Sequence, residues 1–160
     1  MPEALDRLRA AQVAAVGLDT TSGTPAVITE VSVLHLSDGV VTGGPWTYWV
    51  QPDVPVREIR PAARPNVRLA PAWDEVAERL ADSIGARVLA MHDQSRWELL
   101  RRQLPDWEPA GLVFTRELAI EVWPDLDGYD LPSRPSSAVE AHAVGLLLAE
   151  LLRTGAGNGR

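Results

Sequence analysis

Apolar and polar positions change rhythm several times along the 160-residue chain, and each change marks an element. QVAAVGLDTT, from Gln12 onward, is an apolar run that ends on Asp19 and Thr20, with Gly23 and Pro25 close behind. That is the pattern of a buried central strand followed by a turn. AVITEVSVLHL, residues 26–36, is dominated by β-branched residues and interrupted by Thr29, Ser32 and His35, which predicts a second strand. Asp38-Gly39 is a hairpin signal, and VVTGGPWTYWV then reads as the returning strand. Turns this short imply antiparallel pairing.

Residues 51–72 break the rhythm. Prolines at 52, 55, 61, 65 and 71 exclude a continuous helix or a central strand, and a connection this long signals either function or disorder. Helical spacing begins after Pro71, with Trp73, Val76, Ala77, Leu80 and Ile84 on one face, Asp74 and Glu75 at the start and Gly85 at the close. ARVLAMH then reads as a buried strand, SRWELLRRQL as a helix stopped by Pro105, GLVF as a strand and RELAIEVW as a helix ended by Pro124. A loop, PDLDGYDLPSRPS, leads to a last helix capped by Ser136 or Ser137 and running to about Arg153. Residues 1–11 form a leader in which 3–10 suit a short helix, 12–153 make one domain, and the tail 154–160 is expected to be mobile. The order β-β-β-α-β-α-β-α-α predicts a single α/β domain: a mixed five-stranded sheet with helices packed on it.

Composition narrows the function classes. Fifteen basic against twenty-two acidic residues give a net charge of −7, which disfavours coating nucleic acid through bulk charge but leaves a local grip open. The one basic segment is Arg57, Arg60, Arg64 and Arg68, suited to a phosphate backbone or an acidic partner, or to a solvated loop whose arginines pair locally. Trp46 and Tyr48 alternate onto one strand face, where they could stack on bases or simply pack. Absence of cysteine excludes disulfides, thiolate zinc sites and cysteine nucleophiles. No apolar run is long enough for a membrane span and the N-terminus lacks the order of a signal peptide, so a cytoplasmic location is expected.

Four stretches in the right order resemble the DnaQ-like (DEDD) 3′–5′ exonucleases, the family of the polymerase proofreading subunit and ribonuclease T. GLDTTSG followed by AVITEVSV is similar to the family's DTETTG and IIEIGAV, with Glu30 matching the second-strand glutamate. PAWDEVAERLADSIGARVLAMHDQSRWELLRRQL has the shape of the family's helix, VLVGHN, Phe-Asp pair and FLRREL. RELAIEVWPDLDGY resembles RLARxxWPxLxxY, and SSAVEAHAVGLLLAELL resembles the closing helix. The likeness spans residues 12–152 and implies a ribonuclease-H-like fold. It also implies a chemistry in which two Mg²⁺ or Mn²⁺ ions about 4 Å apart are held by four carboxylates, with a histidine as general base.

At those chemical positions the chain departs from the family. Asp19 is retained, but the family's next carboxylate is deleted or replaced by Thr21. Without gaps Arg96 falls on the second-motif aspartate; a one-residue slip would instead pair Trp97-Glu98 with Phe-Asp and His92-Asp93 with His-Asn. The base histidine falls on Ser136 or Pro135, and the last aspartate corresponds to Glu140; His142 is about 200° round the helix from it. His35 and His142 receive no role.

The reading is a degenerate, non-catalytic exonuclease-like domain acting as a binding or scaffold module, with no cofactor expected. Its partner would be single-stranded nucleic acid, another protein or a second copy of itself. The remnant site would comprise Asp19, His92, Glu98 and Glu140, with Arg57, Arg60, Arg64 and Arg68 as the binding segment. The alternative is a working Mg²⁺- or Mn²⁺-dependent 3′–5′ exonuclease whose altered ligand set is Asp19, Glu98 and Glu140, with Asp19 and Glu140 on the metal.

Overall fold

A computed structural model describes residues 2–125 and 136–155. The chain opens with a helix, α1 (Pro2–Ala10), and then forms β1 (Gln12–Thr20), β2 (Ile28–Ser37) and β3 (Val40–Trp49). After residues 51–72 come α3 (Trp73–Ile84), β4 (Val88–Met91), α4 (Gln94–Gln103), β5 (Gly111–Phe114), α5 (Thr115–Val122) and α6 (Ser137–Thr154), with a short α2 (Arg64–Arg68) inside the connection. The strands form one mixed sheet in the order β3-β2-β1-β4-β5, antiparallel across β1–β2 and β2–β3 and parallel across β1–β4 and β4–β5. The expected five-stranded α/β domain is the observed one.

Strand alternation sorts β1 between two cores. Val13 and Ala15 pack against α6 and α5 through Val144, Leu148 and Leu118. Ala14, Val16 and Leu18 face the other way, onto Leu80 and Ile84 of α3 and Leu100 of α4. The Asp38-Gly39 turn has positive φ at both residues (52° and 72°), the backbone that a two-residue hairpin needs to match strand twist. Edge strand β3 is irregular: its register against β2 shifts on both sides of His35, next to Gly43, Gly44 and Pro45. Trp46 sits there at 44% exposure with its ring edge-on to His35, while Tyr48 joins the α3-side core, so the two aromatics do not form one open stacking face.

The leader is docked. Leu5 is buried in the α6-side core, and Arg9 Nη2 donates to the Leu152 carbonyl at 2.6 Å near the C-terminal end of α6, where a cation is favoured. Thr154 still belongs to α6, and residues 156–160 of the expected tail lie outside the described residues, as does most of the Pro- and Asp-rich loop.

The connection 51–72 is folded. Two 3₁₀ turns (Val56–Glu58 and Pro61–Ala63) and α2 wind it around its own small core of Ile59, Ala63 and Val67, packed on Trp49 and Val54. Its prolines exclude long elements but suit turn starts, which is why the segment reads as a loop and yet holds a shape.

Candidate functional site

The site lies at the C-terminal end of β1, where the alternation that puts Val13 and Ala15 on the α6 side also puts Gly17 and Asp19 there. Gly17 is the contact point. A Cβ at this position would lie 2.2 Å from the Ser137 carbonyl oxygen and 2.4 Å from the Ala141 amide nitrogen, so only glycine lets the first turn of α6 rest on the strand. That approach carries Ser137 and Glu140 beside Asp19 and Glu30, which are paired across β1 and β2.

Each carboxylate in this cluster is matched by a donor. Asp19 Oδ2 accepts from Arg60 Nη2 at 2.7 Å and Nε at 3.1 Å, and Oδ1 accepts from the Thr20 amide at 3.1 Å. Glu140, with no exposed side-chain surface, accepts from Arg96 Nη2 at 2.9 Å through Oε2, while Oε1 has no hydrogen-bond partner among the described residues. Burial pushes the Glu140 carboxyl up to about 7, against the pull of the Arg96 charge and, more weakly, of the Leu18 backbone. Glu30 is also buried, and that burial raises its carboxyl above the ordinary range despite a hydrogen bond from Ser137 Oγ. Because Ser137 gives its hydrogen to Glu30, Ser32 must donate to Ser137 (2.7 Å) and Thr47 to Ser32 (2.8 Å), making one directed chain from β3 through β2 to α6.

The remaining candidates separate. Arg96 follows Asp93, which caps α4 by accepting the Arg96 amide at 3.1 Å, and so lies in the first turn on the side facing α6. Glu98 is two residues further, about 200° round the helix, where it pairs with Arg101 at 3.6 Å with 40% of its side chain exposed. The gap-free register therefore describes the site, and Glu98 does not join Asp19 and Glu140. His92 follows the last residue of β4 and is buried; its Nδ1 lies 3.5 Å from Thr115 Oγ1 and its carbonyl accepts the Arg116 amide, which makes it part of the β4–α5 junction. Thr21, at the position of the family's carboxylate, is buried and turns inward: its Oγ1 accepts the Val27 amide at 3.0 Å and its amide donates to the Val27 carbonyl. His142 is exposed on α6, off the Glu140 face, and Ser136 caps that helix.

The four-arginine segment divides between two cavities. Arg57 and Arg60 join Asp19 and Arg96 in a cleft of about 440 Å³, whereas Arg64 and Arg68 line a separate groove of about 520 Å³ beside Val54 and Val67. The segment winds through turns, so spacing along the chain does not decide which residues share a face. Sequence reasoning placed Asp19 and Glu140 but did not include Glu30 among the site residues; its match to the second-strand glutamate was the available signal. The Asp19–Arg60 pair, 41 residues apart, had no local signature.

Structural comparison finds E. coli Exonuclease I in complex with a dA16 oligonucleotide, with a TM-score of 0.61 and 10% sequence identity over 89% of this chain and 42% of that one. The chain thus spans under half the length of that neighbour, and the likeness shows the fold alone, a ribonuclease-H-like α/β domain. No protein-family model and no curated protein sequence matches the chain. No helix among the described residues is long and apolar enough to cross a membrane.

Proposed function

We propose that the protein is a degenerate exonuclease-like domain that binds a partner without cleaving it. The observation that carries this reading is the internal pairing of the two retained carboxylates, Asp19 with Arg60 and Glu140 with Arg96. Two divalent ions repel strongly at close range, and anionic ligands between them offset that repulsion. Here two guanidiniums already stand among the acids, Glu30 is engaged by Ser137, and Thr21 supplies a neutral hydroxyl used elsewhere. Among the described residues no three acidic or histidine side chains converge as a metal site. The donor set does not fit a two-metal centre.

The test is a time course of 3′-end degradation on labelled single-stranded and duplex oligonucleotides with Mg²⁺ or Mn²⁺. Wild type and Asp19→Ala should both leave the substrate intact. Metal-dependent shortening that disappears in Asp19→Ala would overturn the reading in favour of an enzyme.

A further inference from the structure

In the exonuclease-like cleft the charge has the sign opposite to that of a cation site. Its wall carries three arginines, 57, 60 and 96, against one carboxylate, Asp19. Glu140 is fully buried behind Arg96. Arg60 commits Nε and Nη2 to Asp19, and Arg96 commits only Nη2 to Glu140, so both guanidiniums keep N–H groups to give. Arg57 is exposed and makes no hydrogen bond or ion pair among the described residues. Neighbouring acceptors are already used: Thr21 Oγ1 takes the Val27 amide and Asp19 Oδ1 takes the Thr20 amide. What remains in the cleft is donor capacity and positive charge, which an acceptor-rich anion would satisfy. At about 440 Å³ the cleft lies within the range of small-ligand sites, enough for one nucleotide-sized group.

We propose that this cleft is a metal-independent oxyanion site that takes a phosphate-bearing ligand, with Arg57, Arg60 and Arg96 as its cationic wall. The proposal rests on the reading of the cleft as one that binds rather than cleaves. Asp19 then acts as an internal competitor: it holds Arg60 in place and weakens the ligand's attraction. In a metal-dependent site the same aspartate would be required for binding, so removing its charge has opposite consequences in the two cases. Arg64 and Arg68, in the other groove, contribute nothing direct.

The experiment measures binding of a short fluorescein-labelled oligothymidylate by anisotropy in EDTA at low salt, with unlabelled oligothymidylate, thymidine monophosphate and inorganic phosphate as competitors. Asp19→Asn should tighten binding about 3- to 10-fold by releasing Arg60 and removing an opposing charge. Arg57→Ala, at an exposed position that the fold does not need, should weaken it and make the salt slope shallower by about 0.7. Arg68→Ala should change affinity less than about twofold. Displacement by thymidine monophosphate identifies a single nucleotide as sufficient, and displacement by longer strands alone identifies the strand backbone as the phosphate source. Binding that requires Mg²⁺, binding weakened by Asp19→Asn, or no binding of any of the three probes would overturn the site. Cleavage plays no part in this readout, so it can fail while the non-catalytic reading stands, and the degradation assay can fail independently of it.

Discussion

Replacing Glu140 by Gln should flatten the dependence of stability on pH. Glu140 is wholly buried, its Oε1 is unpaired, and its carboxyl is pushed from an ordinary 4.5 up to about 7 by burial. In the unfolded chain the same carboxyl titrates near the ordinary value. Between those two values the native state holds a proton that the unfolded state has lost, so stability falls as pH rises through this window and levels off above it. At about 1.4 kcal/mol per tenfold change in proton affinity, moving from about pH 5.5 to about pH 8 removes about 2 kcal/mol. Gln keeps the volume and can accept from Arg96, whose side chain is 27% exposed and so retains contact with water. Glu30, raised by burial, adds to the slope in the same direction, while Asp93, which burial would lift but hydrogen bonds from Ser95 and the Arg96 amide hold low, is ionised in both states across this window and leaves the slope unchanged. Both are present in either protein, so the difference between the two proteins isolates Glu140. Urea unfolding followed by circular dichroism at the two pH values measures it. With a denaturant slope of about 2 kcal/mol per molar, the wild-type midpoint should drop by about 1 M more than that of the variant. Parallel pH curves for the two proteins would refute the buried-carboxyl reasoning.

Gly17→Ala should destabilise the fold by more than about 3 kcal/mol or displace α6, because the new methyl meets backbone at 2.2 and 2.4 Å; an unchanged melting temperature would remove the close β1–α6 contact from the explanation of the site. Ser137→Ala should cost about 1–3 kcal/mol by leaving Glu30 and Ser32 without their shared partner. It should also raise the Glu30 carboxyl further, so the cost should grow as pH rises through that group's titration, read from urea titrations across a pH series.

The fold was largely legible because its signals are local: the apolar run into Asp19, the Asp38-Gly39 turn and the Gly85 helix end each fix an element from a few adjacent residues. Asp19 and Glu140 were legible for the same reason, one ending a strand and the other standing in the first turn of a helix. The choice between Arg96 and Glu98 was not, since two residues of register decide which faces α6, and the contact that settles it, Arg96 with Glu140, joins positions 44 residues apart. The partners of the acids were out of reach altogether. Arg60 meets Asp19 only because residues 56–68 coil on Ile59, Ala63 and Val67, an arrangement in which prolines and small apolar residues carry no periodic signal.

Edge strand β3 has a bearing on self-association. A long, flat edge presents a continuous row of backbone donors and acceptors that a strand from another molecule can zip onto. Here the register shifts around His35, and Pro45 removes one backbone N–H from the ladder midway along the strand. An incoming strand therefore meets two short half-edges, each offering only a few hydrogen bonds, in place of one uninterrupted template. The exposed Val40 and Trp46 lie on different halves, so their apolar surface cannot recruit a neighbour along the whole strand. Edge-to-edge pairing on this side is weakened by backbone geometry, without the lysines that other sheets place on such edges and that this sequence lacks.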